Sequence, residues 1–236
     1  MSKRLIRRKV DHVLGSSLIN RLYAARGVRD TSELDLSLQH LLQPRLKDLE
    51  RAADLIATSI IRQQKILIVG DFDADGATST AMMVDVLRAM GGAAVEYLVP
   101  DRFEYGYGLT PEIVEVAARR QPDLLVTVDN GMSSIEGVAL ARARNIRVII
   151  TDHHLPGPQL PDADAIVNPN QPGCEFPGKA LAGVGVAFYV LSAVRSALRD
   201  RNWFAERMIT IPNLADCLDL VALGTVADLV HLDRNN

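Results

Sequence analysis

The chain has 236 residues, 48% of them hydrophobic, and a formal net charge of −3. That is an ordinary globular composition, long enough for one large or two small cores. No apolar run approaches the roughly 20 residues of a membrane span, the basic start MSKRLIRRKVDHVLG lacks an apolar signal-peptide core, and the two cysteines, Cys174 and Cys217, read as reduced thiols of a cytoplasmic protein.

Residues 1–64 read as a helical lead-in. Lys3, Arg4, Arg7, Arg8 and Lys9 form a solvated basic tail, with a nucleic-acid contact as the sharper reading. Thr31 or Ser32 is placed to cap a helix with Glu33 and Asp35 in its first turn. Leu46, Leu49, Ala53, Ile56 and Ile60 recur at three- and four-residue spacing, so they share one helical face, expected to pack on the sheet that follows.

The stretch Ile66-Leu67-Ile68-Val69 is a buried parallel strand by pattern. It turns through Gly70 into three acids two residues apart, Asp71, Asp73 and Asp75, then Gly76 and a helix expected from Ala77 to Met90. Three carboxylates in five residues repel one another, and a divalent cation is the usual answer. A calcium EF-hand loop begins alike, but its twelfth position would be Met82 instead of Glu, and a strand precedes it. An aspartyl-phosphate enzyme with Asp71 as nucleophile and a plain acidic turn with Asp75 as helix cap are the other readings.

A second strand is expected at residues 94–99, followed by DRFEYGYGLTPE, where Gly106 and Gly108 flank Tyr107 and Pro111 starts a helix. That loop is either a tight turn or a contact for sugar or base. Leu124–Val128 and Arg147–Thr151 are the third and fourth strands, ending in Asp129-Asn130-Gly131 and Asp152-His153-His154. Helical segments separate the strands, so the sheet is parallel and its strand ends share one edge. That edge gathers Asp73, Asp75, Asp129, Asp152, His153 and His154.

Residues 155–179 form a long Pro- and Gly-rich loop with a short apolar piece, Ala165-Ile166-Val167, and then Asn168-Pro169-Asn170. Gly183 and Gly185 open an apolar helix, either to hold a phosphate on its amides or to allow close packing. The last apolar run carries Asp219 and, after Gly224-Thr225, Asp228 on a turn that aims it at the cluster. Setting the clustered acids aside turns the charge balance positive, and bound cations would make the cleft attract phosphate.

GDFDADGATS, VTVDNG, TDHH and GTVAD, in this order, resemble the four motifs of the DHH phosphoesterases, over roughly residues 45–233. The loops RFEYGYGLT, NPNQP and LAGVGVAF point to the branch that degrades single-stranded DNA from the 5′ end in repair and recombination. The resemblance implies two divalent ions, Mn²⁺ or Mg²⁺, held by Asp73, Asp75, Asp129, His153 and Asp228, with Asp75 and Asp129 at the shared positions. By the same resemblance His154 contacts the scissile phosphate, Asp152 orients the histidines, and Asp129, His153 and His154 carry the catalysis. Where many members have a further His, this chain has Val69, which leaves two readings: Asp71 compensates as a ligand, or one metal binds more weakly. Two metals about 3.5–4 Å apart activate water and relieve phosphoryl charge, which is the chemistry phosphodiester hydrolysis needs.

Residues 65–236 are thus expected to be the DHH domain, without the second domain or oligonucleotide-binding module of full-length members. Single-stranded DNA is the implied partner, with a repair helicase and a single-strand-binding protein alongside. The alternatives are a catalytically incomplete metal- and nucleic-acid-binding piece, or a phosphodiesterase for short oligonucleotides or cyclic dinucleotides.

Overall fold

The computed structural model describes residues 14–15, 17–35, 37–233 and 235–236. The basic tail of Lys3, Arg4, Arg7, Arg8 and Lys9 lies outside the described residues. The chain forms two compact units, the first running to Leu42 and the second starting at Gln43.

In the first unit, helix α1 (Leu18–Ala25) is capped by Ser17, whose Oγ accepts from the Asn20 amide at 3.1 Å. A four-residue 3-10 turn, Thr31–Leu34, follows. Its cap is Asp30, not Thr31 or Ser32. The Asp30 carboxylate takes the Ser32 amide at 2.7 Å while Glu33 reaches back to the Asp30 amide at 3.1 Å. This reciprocal pairing satisfies two orphan donors at once, which a hydroxyl at Thr31 would not do.

The second unit is an α/β fold around a five-stranded sheet, ordered β2-β1-β3-β4-β5, parallel throughout. Helix α2 (Leu49–Ile61) precedes β1 (Ile66–Gly70), and its face of Leu49, Ala53, Ile56 and Ile60 is buried as expected. The chain continues through α3 (Ala74–Ala89), β2 (Val95–Leu98), the short α4 (Arg102–Tyr105), α5 (Pro111–Ala118), β3 (Leu124–Val128), α6 (Ile135–Ala143) and β4 (Arg147–Thr151). Then come β5 (Ala165–Val167), α7 (Gly183–Asp200), α8 (Trp203–Arg207) and α9 (Leu218–Ala227). Because α2 packs on α7 and β5, it shares a unit with the sheet.

β1 and β3 are buried along their whole length, which is why their sequences are continuous apolar runs rather than alternating ones. Leu67 and Val69 of β1, Leu125 of β3 and Val148 and Ile150 of β4 share one face, packed against Ile113, Val114, Val138 and Ala141 of α5 and α6. The opposite face meets α3, α7 and, at β5, α2, with α9 beyond. Val69 is part of this core, so it offers no ligand to the strand-end site.

Two further expectations need correction. The short apolar piece at residues 165–167 is a strand that pairs with β4 in the register Thr151↔Val167. Three residues are too few for any periodicity to separate a strand from a loop. Helix α3 begins at Ala74 rather than Ala77, so Asp75 lies in its first turn and Asp73, whose Oδ1 accepts from the Gly76 amide at 2.9 Å, is the cap. Among the described residues no helix is long and apolar enough to cross a membrane.

Candidate metal centre

The parallel register brings the ends of β1, β3 and β4 to one edge: Gly70 pairs with Val128, and Val128 with Thr151. Each strand then delivers its acid. Asp129 is buried, and its backbone is left-handed (φ 59°), a conformation that Asp tolerates better than most residues. Its amide donates to the Thr151 carbonyl at 3.0 Å, and Tyr107 Oη donates to its carbonyl at 3.3 Å.

His153 stands at the centre. Its Nε2 lies 3.2 Å from Asp129 Oδ1, 3.5 Å from Asp228 Oδ2 and 3.9 Å from Asp75 Oδ2. Despite the 3.2 Å separation, neither His153 Nε2 nor Asp129 Oδ1 has a hydrogen-bond partner of acceptable geometry among the described residues, and both atoms are buried. Buried polar atoms are normally paired. Two such atoms beside each other fit a shared cation, because neighbouring octahedral ligands about 2.1 Å from an ion stand about 3 Å apart. Among the described residues, three groups have ligand atoms within 4.8 Å of one another: Asp75, His153 and Asp228; Asp129, His153 and His154; and Asp71, Asp73 and Asp129. Carboxylates with one or two imidazoles suit Mn²⁺ or Mg²⁺.

Asp75 has a second attachment. Its Oδ2 and Oδ1 accept from the Gly183 and Val184 amides at 2.6 and 2.8 Å. The Gly183 amide therefore serves a carboxylate, not a phosphate. A Cβ at Gly183 would lie 2.7 Å from Asp129 Cβ, and one at Gly224 would lie 2.9 Å from Asp75 Oδ1, so both glycines are there for close approach. At Gly185 the nearest obstacle is Leu181 Cδ2, 3.0 Å away. Asp228 caps the C-terminal end of α9, on the expected turn, while Asp219 is exposed and stands apart.

Asp152 has a different task. One oxygen takes the Met132 amide at 2.9 Å, and the other takes the His153 and His154 amides and His154 Nδ1 at 2.7, 3.1 and 2.8 Å. Burial pulls its pKa up, but these hydrogen bonds outweigh that and hold the carboxyl below the usual range. The same bond raises the His154 pKa. It also commits the Nδ1 hydrogen and leaves Nε2 facing Tyr107 Oη at 3.5 Å. Burial, then the charges of Asp152 and Asp129, push the Tyr107 phenol up, which keeps it protonated as a donor.

Asp71 is buried, taking the Phe72 amide at 2.8 Å and facing Arg102 at 3.5 Å. Arg102 stacks 3.8 Å above the Phe72 ring. Arg102 is a site residue that motif reading missed, while Tyr107 stands in the loop read as a tight turn or a sugar or base contact. The signal was the loop RFEYGYG, but a cation stacked over a ring 30 residues away in sequence leaves no local pattern.

Asp129 is pushed up to about 10, first by burial and then by the charges of Asp75, Asp73 and Asp152. Burial also raises Asp71 and Asp75. A carboxyl whose folded pKa exceeds its ordinary 3.8 stabilises the fold fully below that value, and the contribution is lost as pH rises through the folded pKa. His154 acts in the same direction above its ordinary 6.5. Asp152 has the opposite sign, and its contribution is lost only below the usual carboxylate range. Chelator-treated protein is therefore expected to lose melting temperature steadily from about pH 5 to about pH 9, while Mn²⁺ affinity climbs as ligand protons are displaced. A flat calorimetric profile across that range would contradict this arrangement of charges.

Residues 65–225 match the DHH family, N-terminal domain. The chain belongs to the DHH family. This DHH-family chain is 58% identical over 221 residues to the single-stranded-DNA-specific exonuclease RecJ of Dickeya dadantii, covering 93% of the chain and 38% of that relative. It is 52% identical over 240 residues to RecJ of Haemophilus influenzae, covering 100% and 41%. The chain thus spans about two fifths of the length of these curated relatives. Among solved structures, exonuclease RecJ bound to manganese matches with a TM-score of 0.69 at 34% identity, over 80% of this chain and 46% of that one. RecJ of Thermus thermophilus in complex with Mn²⁺ matches with a TM-score of 0.68 at 32% identity, over 90% and 29%.

Proposed function

We propose that this chain carries the metal half of a single-strand-specific DNA exonuclease, hydrolysing phosphodiester bonds for DNA repair and recombination. The observation that carries the reading is the buried, unpaired pair His153 Nε2 and Asp129 Oδ1, flanked by Asp75 and Asp228. The relatives' names and the manganese of a solved relative support the substrate and the cofactor.

In this reading Asp73, Asp75, Asp129, His153 and Asp228, with Asp71 as a further acid, would hold two divalent ions, Mn²⁺ or Mg²⁺. When bound, the ions make water acidic enough to attack at neutral pH and draw charge from the phosphoryl oxygens. The protein's own residues do the rest. Gly183 and Val184 lock the Asp75 carboxylate in orientation. The Asp152 bond takes the His154 Nδ1 hydrogen and favours the imidazolium, whose Nε2–H donates to a phosphate oxygen. Arg102, on its Phe72 platform, offers a cation to the neighbouring phosphate of the strand. DNA as substrate places the work in the cytoplasm, where a repair helicase would supply the strand and a single-strand-binding protein would cover it.

The test is Mn²⁺-dependent nucleotide release from 5′-labelled single-stranded DNA, with duplex DNA, a dinucleotide and a chelator arm. Release from the single strand that stops with chelator is the expected result. Release from the dinucleotide alone would shift the reading to a short-substrate phosphodiesterase. Tight Mn²⁺ binding without release would make the chain the incomplete binding half, and no Mn²⁺ binding at all would overturn the reading.

A further inference from the structure

We infer that the Asn168-Pro169-Asn170 turn is the clamp that sets the positions of both histidines. This rests on the metal-site reading above and adds positioning residues that the four motifs do not contain.

β4 and β5 run parallel with Thr151 opposite Val167, so their extensions lie side by side: Asp152-His153-His154 on one and Asn168-Pro169-Asn170 on the other. The last ladder bond runs from the Asp152 amide to the Val167 carbonyl at 3.1 Å. In a parallel ladder the next donor would be the amide of residue 169. That residue is proline, which has no N–H, so the ladder stops where the histidines must turn out of the sheet.

Side chains then replace the ladder. Asn168, fully buried, donates from Nδ2 to the His154 carbonyl at 2.9 Å, and its Oδ1 accepts the Asn170 amide at 2.7 Å. Asn170 Nδ2 donates to the His153 carbonyl at 2.7 Å. The turn is itself held down, since Lys179 Nζ donates to the Pro169 and Cys174 carbonyls at 2.5 and 2.8 Å. With Asp152 gripping the two histidine amides and the asparagines gripping the two carbonyls, both peptide units are fixed at each end. A ring on a fixed peptide has few rotamers left, so His153 Nε2 is aimed without a hydrogen bond of its own.

The experiment is Mn²⁺ titration calorimetry on the full chain, well below each variant's melting temperature. Asn170→Ala, partly exposed and the safer variant for folding, is expected to weaken Mn²⁺ binding by roughly 10–100-fold, as removal of a ligand's supporting group does. Asn170→Gln, which keeps the amide donor, is expected to recover part of that. Lys47→Met is the control: it removes the 2.9 Å bond to the Pro172 carbonyl of the same loop without touching either histidine. It should lower the melting temperature and leave Mn²⁺ affinity unchanged. Equal weakening by Lys47→Met and Asn170→Ala would show loop order at work and overturn the clamp. Wild-type affinity in Asn170→Ala, with none in Asp129→Ala, would overturn the clamp and leave the metal site standing. Wild-type affinity in Asp129→Ala would overturn the metal site itself.

Discussion

Asp129→Asn is expected to stop nucleotide release and at the same time to stabilise the metal-free protein. Asp129 joins two of the three ligand groups, through His153 on one side and through Asp71 and Asp73 on the other. An amide keeps the shape but is a poor ligand for a hard cation, so both groups lose a charged oxygen together. The fall in rate should exceed the roughly 10–100-fold that follows loss of a group which only orients a ligand. On the order of 10³-fold or more is the expected figure, because such an ion contributes several kcal/mol of charge stabilisation.

The stability effect of the same variant follows from the charges. Asp129 is buried among Asp75, Asp73 and Asp152, and at neutral pH it keeps a proton that an unfolded chain would release. Asparagine has no proton to lose, so the variant escapes the decline with pH expected of wild type in chelator. A gain on the order of 1 kcal/mol near pH 8 corresponds to about 2–4 °C for a chain of this size. Scanning calorimetry of both proteins in chelator at pH 5 and pH 8 checks it. If Asp129→Asn melts below wild type at both pH values, the acids are not repelling one another, and the argument for a shared cation loses its physical basis.

The legible part of this site lies at strand ends. Apolar runs marked β1, β3 and β4, and parallel order did the rest, since a motif at each C-terminal end must meet the others at one edge. That reasoning needs no side-chain detail, and in the structure His153 Nε2 lies beside both Asp75 and Asp129 at that edge. What stayed hidden depends on contacts between remote segments. β5 is too short to carry a period, and with it the NPN turn lost its place beside the histidines. The start of α3 moved three residues because an Asp at either position can cap, and only the Gly76 amide decides between them. Gly183 and Gly185 look equivalent in sequence, yet one amide is bound to Asp75, 108 positions away.

That pair of glycines gives the second large effect. A methyl at Gly183 would lie 2.7 Å from Asp129 Cβ, 2.7 Å from Oδ1 and 2.9 Å from Cγ. Neither side yields cheaply. The Asp129 peptide is bonded to β4, and Tyr107 holds its carbonyl. The Gly183 amide is bonded to Asp75 at 2.6 Å, so retreat of α7 would release a second ligand carboxylate. Gly183→Ala is therefore expected to cost about 1–3 kcal/mol through overpacking and to abolish measurable Mn²⁺ binding. Gly185→Ala meets only the end of the Leu181 side chain, at 3.0 Å, and it gains helix propensity of up to about 1 kcal/mol. It should be neutral or slightly stabilising and should bind Mn²⁺ as wild type does. Calorimetric melting and Mn²⁺ titration of the two variants separate the cases. Equal behaviour would mean that α7 does not press on Asp129. Loss of binding in Gly183→Ala alone would mean that a helix with no ligand of its own holds both Asp75 and Asp129 in place.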